Sequence, residues 1–176
     1  MKKNLSFLCL AIVSLLGISL GIGNLIAYLA DGDTAINKLD IGQNEIELVE
    51  EFQPPKELTP GVSFTKDVSV INIGPCSCYV RIKSVFTDSD MEKYCTVDYN
   101  DEDFVYNDED GFWYYKEVLN FDSSTPSLFT TVILSDTIPE SEIKDFDILI
   151  YAESYQSDGF DSYEDAWEYY SRNSPS

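Results

Sequence analysis

Cys78-Tyr79-Val80-Arg81-Ile82-Lys83-Ser84-Val85-Phe86 alternates more cleanly than any other stretch of the chain. Cys78, Val80, Ile82 and Phe86 fall on one side of an extended backbone, and Tyr79, Arg81 and Lys83 on the other. Successive side chains of a strand point to opposite faces, so this pattern predicts a sheet with one buried face. Just upstream, Phe64 to Ile73 repeats the signal: Val68 and Val70 flank Ser69, and Asn72, Gly74 and Pro75 close the run. Ser127 to Leu134 and Phe146 to Ser154 predict two later strands. The second of these is apolar on both faces (Phe146, Ile148 and Ile150 against Leu149 and Tyr151), the composition of a central strand.

The remaining segments fit around these strands. Thr34 to Ile41 and Glu45 to Phe52 are extended candidates parted by Gly42-Gln43-Asn44, and Pro54-Pro55 and Pro60-Gly61 break the chain into a loop. Between Asp88 and Asp110 we expect a short strand at Tyr94 to Tyr99 with acidic loops around it. Asn107 to Gly111 has hairpin-turn composition, and Gly111 to Leu119 is aromatic and strand-like. Asp161 to Ser171 is the one good helix, capped by Asp161 or Ser162. Its Tyr163, Ala166, Trp167 and Tyr170 form one apolar stripe, expected to pack on the domain's own sheet. About eight short strands and a terminal helix predict an all-β fold, an antiparallel β-sandwich of jelly-roll-like form with one short C-terminal helix. The expected organisation is a signal peptide over 1–27, a single sandwich domain over 28–171 and a disordered tail over 172–176.

The chain carries 32 acidic and 11 basic residues, a formal charge of −21, and no histidine. Such a surface repels phosphate backbones, which excludes nucleic acid as a partner. Without histidine there is no Ser-His-Asp triad, no Cys-His dyad and no His-ligated zinc. The inventory argues against a hydrolase. Acidic pairs are so abundant that they carry no information about glycosidase chemistry.

Met1-Lys2-Lys3-Asn4 is a positive start, followed by an uncharged run from Leu5 to Ala30 that Asp31 ends. This reads as a secretory signal peptide cut between Ala27 and Tyr28. Retention of the run as a membrane anchor is the competing reading. Cleavage removes Lys2 and Lys3 and no acid, taking the formal charge from −21 to −23. Contact with the membrane is expected only before the cut.

Cys76, Cys78 and Cys95 remain in the mature chain. Either Cys95 bridges Cys76 or Cys78 and leaves one thiol, or all three are thiols. The only metal candidate is the acidic stretch. Asp108, Asp110, Gly111 and Glu117 take the third, fifth, sixth and twelfth places of an EF-hand loop, but Tyr106 stands at the first, and the flanks are strand-like. Looser calcium coordination by Asp98, Asp101, Asp103, Asp108 and Asp110 is the surviving expectation; no other cofactor is indicated.

Two further stretches carry a family resemblance. One is Ala27-Tyr28-Leu29-Ala30-Asp31 with Asp33-Thr34-Ala35 and Ile41-Gly42. The other is Leu58-Thr59-Pro60-Gly61, Thr65-Lys66-Asp67-Val68-Ser69-Val70 and Asn72-Ile73-Gly74. In order and spacing they resemble the TasA/camelysin family of secreted proteins processed by the signal peptidase SipW. The resemblance implies a jelly-roll domain, export, and a place in the biofilm matrix or on the cell surface. It also implies self-assembly into a head-to-tail oligomer or fibre by N-terminal strand donation, or assembly with other matrix proteins. The family's camelysin branch implies a metalloendopeptidase, for which this sequence has no zinc-protease motif. The leading expectation is therefore a non-catalytic fibre or matrix subunit, with a camelysin-like metalloendopeptidase or a membrane-tethered surface binding module as rivals.

Overall fold

In the computed structural model, which describes residues 44–173, the alternating stretches become strands. They are β1 (Ile46–Gln53), β2 (Ser63–Asn72), β3 (Cys78–Phe86), β4 (Cys95–Val97), β5 (Phe104–Asn107), β6 (Phe112–Tyr115), β7 (Phe129–Leu134) and β8 (Ile148–Gln156). Two helices join them, α1 (Ser89–Tyr94) and α2 (Tyr163–Asn173), with a 3-10 turn at Glu140–Glu142. The expected signal peptide, its Ala27–Tyr28 cut and the Thr34 to Ile41 strand lie outside the described residues.

The strands form two four-stranded sheets, ordered β1-β2-β7-β4 and β5-β6-β3-β8, and every pairing is antiparallel. The long-range pairs β2–β7, β4–β7, β3–β6 and β3–β8 nest as in a jelly roll, while β1–β2 and β5–β6 are local hairpins. Between the sheets lie Val68 and Val70 of β2, Val80 and Ile82 of β3, Phe104, Phe129, Val132, Ile148 and Ile150, all buried. These are the inward halves of the alternating patterns, so the period-two reading and the core agree. In the β5–β6 turn, Gly111 has φ +75, and a Cβ there would meet Lys83 Nζ at 3.2 Å. Both facts favour glycine at that corner.

The structure corrects the sequence reading in three places. The segment after Asp88 is helical rather than loop. The Asp88 carboxylate accepts the N–H groups of Asp90 and Met91, capping α1. Met91, fully buried with Leu134 and Ile138, anchors it. Phe104 likewise draws β5 out of the acidic loop, packing its ring 5.4 Å from that of Tyr115. Among the described residues β8, whose composition suits a central strand, ends its sheet. At the C-terminus Ser162 rather than Asp161 caps α2, its hydroxyl accepting the Asp165 N–H. That helix continues through Arg172 and Asn173.

Candidate functional site

The sandwich has two unlike sides. On one, the sheets end in β4 and β5, of three and four residues. On the other they end in β1 and β8, of eight and nine residues, which lie beside each other. A strand edge presents unpaired N–H and C=O groups, and shortening the strand or placing charge on it are the usual protections. The β4/β5 side is protected by shortness.

Charge protects β1. Glu47 and Glu51 stand exposed on its outer face, with Asp67 paired opposite Glu51. On the inner face Glu50 holds Lys66 Nζ at 2.5 Å, and the ammonium sits 5.3 Å from the Phe52 ring centre. Lys66 lies where the β2–β7 register breaks, between Thr65 and Val68.

Among the described residues neither device protects β8. Leu149 on its outer face is 43% exposed, and its only acid, Glu153, is engaged by Arg81 of β3. Arg81 Nε donates to Glu153 Oε2 at 2.8 Å, and Nη2 donates to the same oxygen. Nη1 reaches Asp110 Oδ2 at 3.1 Å and the Tyr114 hydroxyl at 3.0 Å. The Tyr114 hydroxyl in turn donates to Asp110. Burial alone would depress the Arg81 pKa, but the Glu153 carboxylate more than reverses this and raises it. The guanidinium lies 4.3 Å from the ring centres of both Phe112 and Trp167.

That stacking seats α2. Tyr163, Ala166, Trp167 and Tyr170 pack on Tyr79, Tyr114 and Tyr155 of the outer sheet face. The helical stripe therefore meets its own domain, as the sequence suggested. Trp167 Nε1 is buried there without a hydrogen-bond partner. The sequence reading placed Arg81 only as an outward residue; its sole signal was an arginine in a chain poor in bases and rich in aromatics.

The five aspartates offered for calcium are put to different uses. Asp98 accepts the N–H groups of Thr130 and Thr131 at 2.9 and 2.7 Å and the Thr130 hydroxyl at 2.7 Å. Asp103 accepts from Asn100 Nδ2 at 2.9 Å. Asp110 faces Arg81 and Tyr114, while Asp101 and Asp108 are exposed. Among the described residues no group of three or more Cys, Asp or Glu side chains is arranged to hold a metal.

Cys76, Cys78 and Cys95 are free thiols. Cys78 sits at the end of the sandwich where β2 finishes, beside Leu119. Cys95 pairs with Leu134 at the end where β2 begins. The length of β2, about 30 Å at strand rise, separates them, far beyond the reach of a disulfide. The structure thus does not bring Cys95 to either candidate partner. Burial pushes the Cys78 thiol up to about 12, with Cys76 adding to the shift, and the Cys95 thiol up to about 11.

No family model matches the chain, and no curated protein matches it in sequence.

Proposed function

We propose that this chain is an exported, acidic, non-catalytic subunit of a cell surface or extracellular matrix that assembles by strand addition along the β1/β8 side. The observation that carries the reading is β8. It is nine residues long, ends its sheet among the described residues, carries Leu149 exposed, and has its one acid held by Arg81. A strand added along it would pair with its outer main-chain N–H and C=O groups, with those bonds giving affinity. Such a head-to-tail contact does not close on itself, so it grows filaments rather than dimers. Export is inferred from the Lys2-Lys3 start and the uncharged run to Ala30. The donor is the segment Tyr28 to Ile41, freed by the cut before Tyr28, whose Ala35, Leu39 and Ile41 would line one face of the strand.

The test compares chains starting at Tyr28 and at Gly42, by light scattering and electron microscopy. The longer chain should form filaments and the shorter should stay monomeric with a cooperative melt. Equal assembly by both, or monomers from both at high concentration, would refute strand donation.

A further inference from the structure

We propose that α2 is an exchangeable cover: it lifts from the sandwich while both sheets stay folded, and the seat it leaves takes α2 of a second copy. Neither the β8 edge nor an added strand takes part, so this exchange and strand addition can fail separately.

The attachment of α2 contains no polar bond. The Ser157 N–H donates to the Ser77 carbonyl, and the Phe160 N–H turns back to Ser157. Among the described residues nothing after Ser157 makes a hydrogen bond or ion pair with residues 44–156. The bonds there run within the segment, as from Arg172 to Glu168. Ring packing holds the helix instead. The Trp167 ring centre lies 5.9 Å from that of Tyr114 and 6.2 Å from that of Tyr155, and Tyr170 lies 5.5 Å from Tyr155. The Arg81 guanidinium stacks on Trp167. Apolar contacts of this kind are non-directional, and separating them strands no hydrogen-bonding group.

The seated state also carries penalties that lifting removes. Trp167 Nε1 is a buried donor with no acceptor among the described residues; lifted, it meets water. Residues 157–173 hold Asp158, Asp161, Glu164, Asp165 and Glu168 against Arg172 alone, in a chain of formal charge −21. Like charge therefore opposes docking, and salt screens that opposition. The hinge is unobstructed: Gly159 has φ +90, and a Cβ there would meet nothing within 4 Å.

The seat outlasts the helix. Arg81 keeps its bonds to Glu153, Asp110 and the Tyr114 hydroxyl, all within the sandwich. With Tyr79, Tyr114 and Tyr155 it forms an aromatic surface matched to the stripe of Tyr163, Ala166, Trp167 and Tyr170. Every copy carries that stripe, and an exchanged α2 replaces each lost contact with an identical one. The tethered helix competes at an effective concentration on the order of millimolar. Exchange is therefore slight in dilute solution and grows as copies crowd to that range.

A helix of 11 residues is marginal alone in water, so amide exchange across α2 reports its lifting. The test is hydrogen exchange by mass spectrometry on the chain starting at Tyr28. A carbon-13-labelled peptide of residues 157–173 stands for α2 of the second copy. Without peptide, amides of Tyr163–Asn173 should be protected roughly tenfold less, or weaker still, than those of Cys78–Phe86, and added salt should raise their protection. Gly159→Ala strains the closed turn and should lower it roughly fivefold, with the melt of the sandwich unchanged. Millimolar peptide should become protected while the chain's own α2 loses protection, and peptide carrying Trp167→Ala should do neither. Exchange of α2 only together with the sheets overturns the lifting. Peptide that stays unprotected in the millimolar range, or is protected without displacing the chain's own helix, overturns the exchange.

Discussion

Arg81 and Glu153 face each other directly across the β3–β8 ladder, and the guanidinium spans from that carboxylate to Asp110 while lying between the rings of Phe112 and Trp167. One side chain therefore ties the last strand, the β5–β6 turn and the C-terminal helix together. Its side chain is 12% exposed, so its ion pairs are shielded from solvent much more than surface pairs are.

Removing one partner of a largely buried pair strands the other, which costs about 3 kcal/mol or more. Arg81→Ala should destabilise by that order in urea denaturation. Arg81→Lys should recover only part of the loss, because an ammonium has neither the planar fork nor the flat stacking face. Equal stability of Arg81→Lys and the parent would show that charge alone matters there.

Trp167 separates packing from hydrogen bonding. Its ring is buried against Tyr114 and Tyr155, but its Nε1 has no acceptor. Trp167→Phe removes an unsatisfied donor and should change stability by less than about 1 kcal/mol. Trp167→Ala leaves a cavity and should cost about 3–5 kcal/mol. A large loss in the Phe variant would mean that the indole N–H is satisfied after all.

Much of the fold was legible because alternation is a local signal. Phe64 to Ile73 and Cys78 to Phe86 needed only period two, and Tyr163 to Tyr170 needed only helical spacing. The segment from Asp88 to Asp110 misled because its acids dominate the composition, whereas single buried anchors, Met91 and Phe104, decide the structure. The position of β8 was not legible either: residues apolar on both faces specify two covered faces, and coverage can come from a helix such as α2 as well as from a neighbouring strand. Arg81 was the least legible, since its partners Asp110, Glu153 and Trp167 lie 29, 72 and 86 positions further along the chain.

Asp98 gives a pH dependence. Partial burial works against its charge, but the bonds from Thr130 and Thr131 outweigh this and lower its pKa from the ordinary 3.8. A carboxyl with a depressed folded value contributes stability that is present above its unfolded value and lost as pH falls through the folded one. Asp98→Asn should therefore lower the urea midpoint at pH 7, by on the order of 1 kcal/mol after solvent screening. The gap to the parent should narrow below pH ~4. A gap of the same size at pH 7 and at pH 3 would remove the ionised carboxylate as its source.

The thiols give a sharper test of the strand assignment. Only thiolates react with alkylating reagents, and pKa values of about 12 for Cys78 and about 11 for Cys95 leave roughly one molecule in ten thousand and one in a thousand ionised at pH 8. Cys78 is also fully buried, and Cys95 packs against the buried cluster of Met91, Leu134 and Ile138. Cys76 lies partly buried in the turn between β2 and β3, outside the core clusters that hold Cys78 and Cys95. Iodoacetamide at pH 8 should thus modify one thiol quickly in the chain starting at Tyr28, and peptide mapping should find it at Cys76. Cys76→Ser should abolish the fast phase, and urea should release the other two thiols together. The same mapping without reductant examines the separation of the sandwich ends. A peptide pair linking Cys95 to Cys76 or Cys78 cannot arise from strands held as described, because the length of β2 stands between them. Finding that pair in freshly purified, cooperatively melting protein would overturn the arrangement of β3 and β4, and with it the order of both sheets.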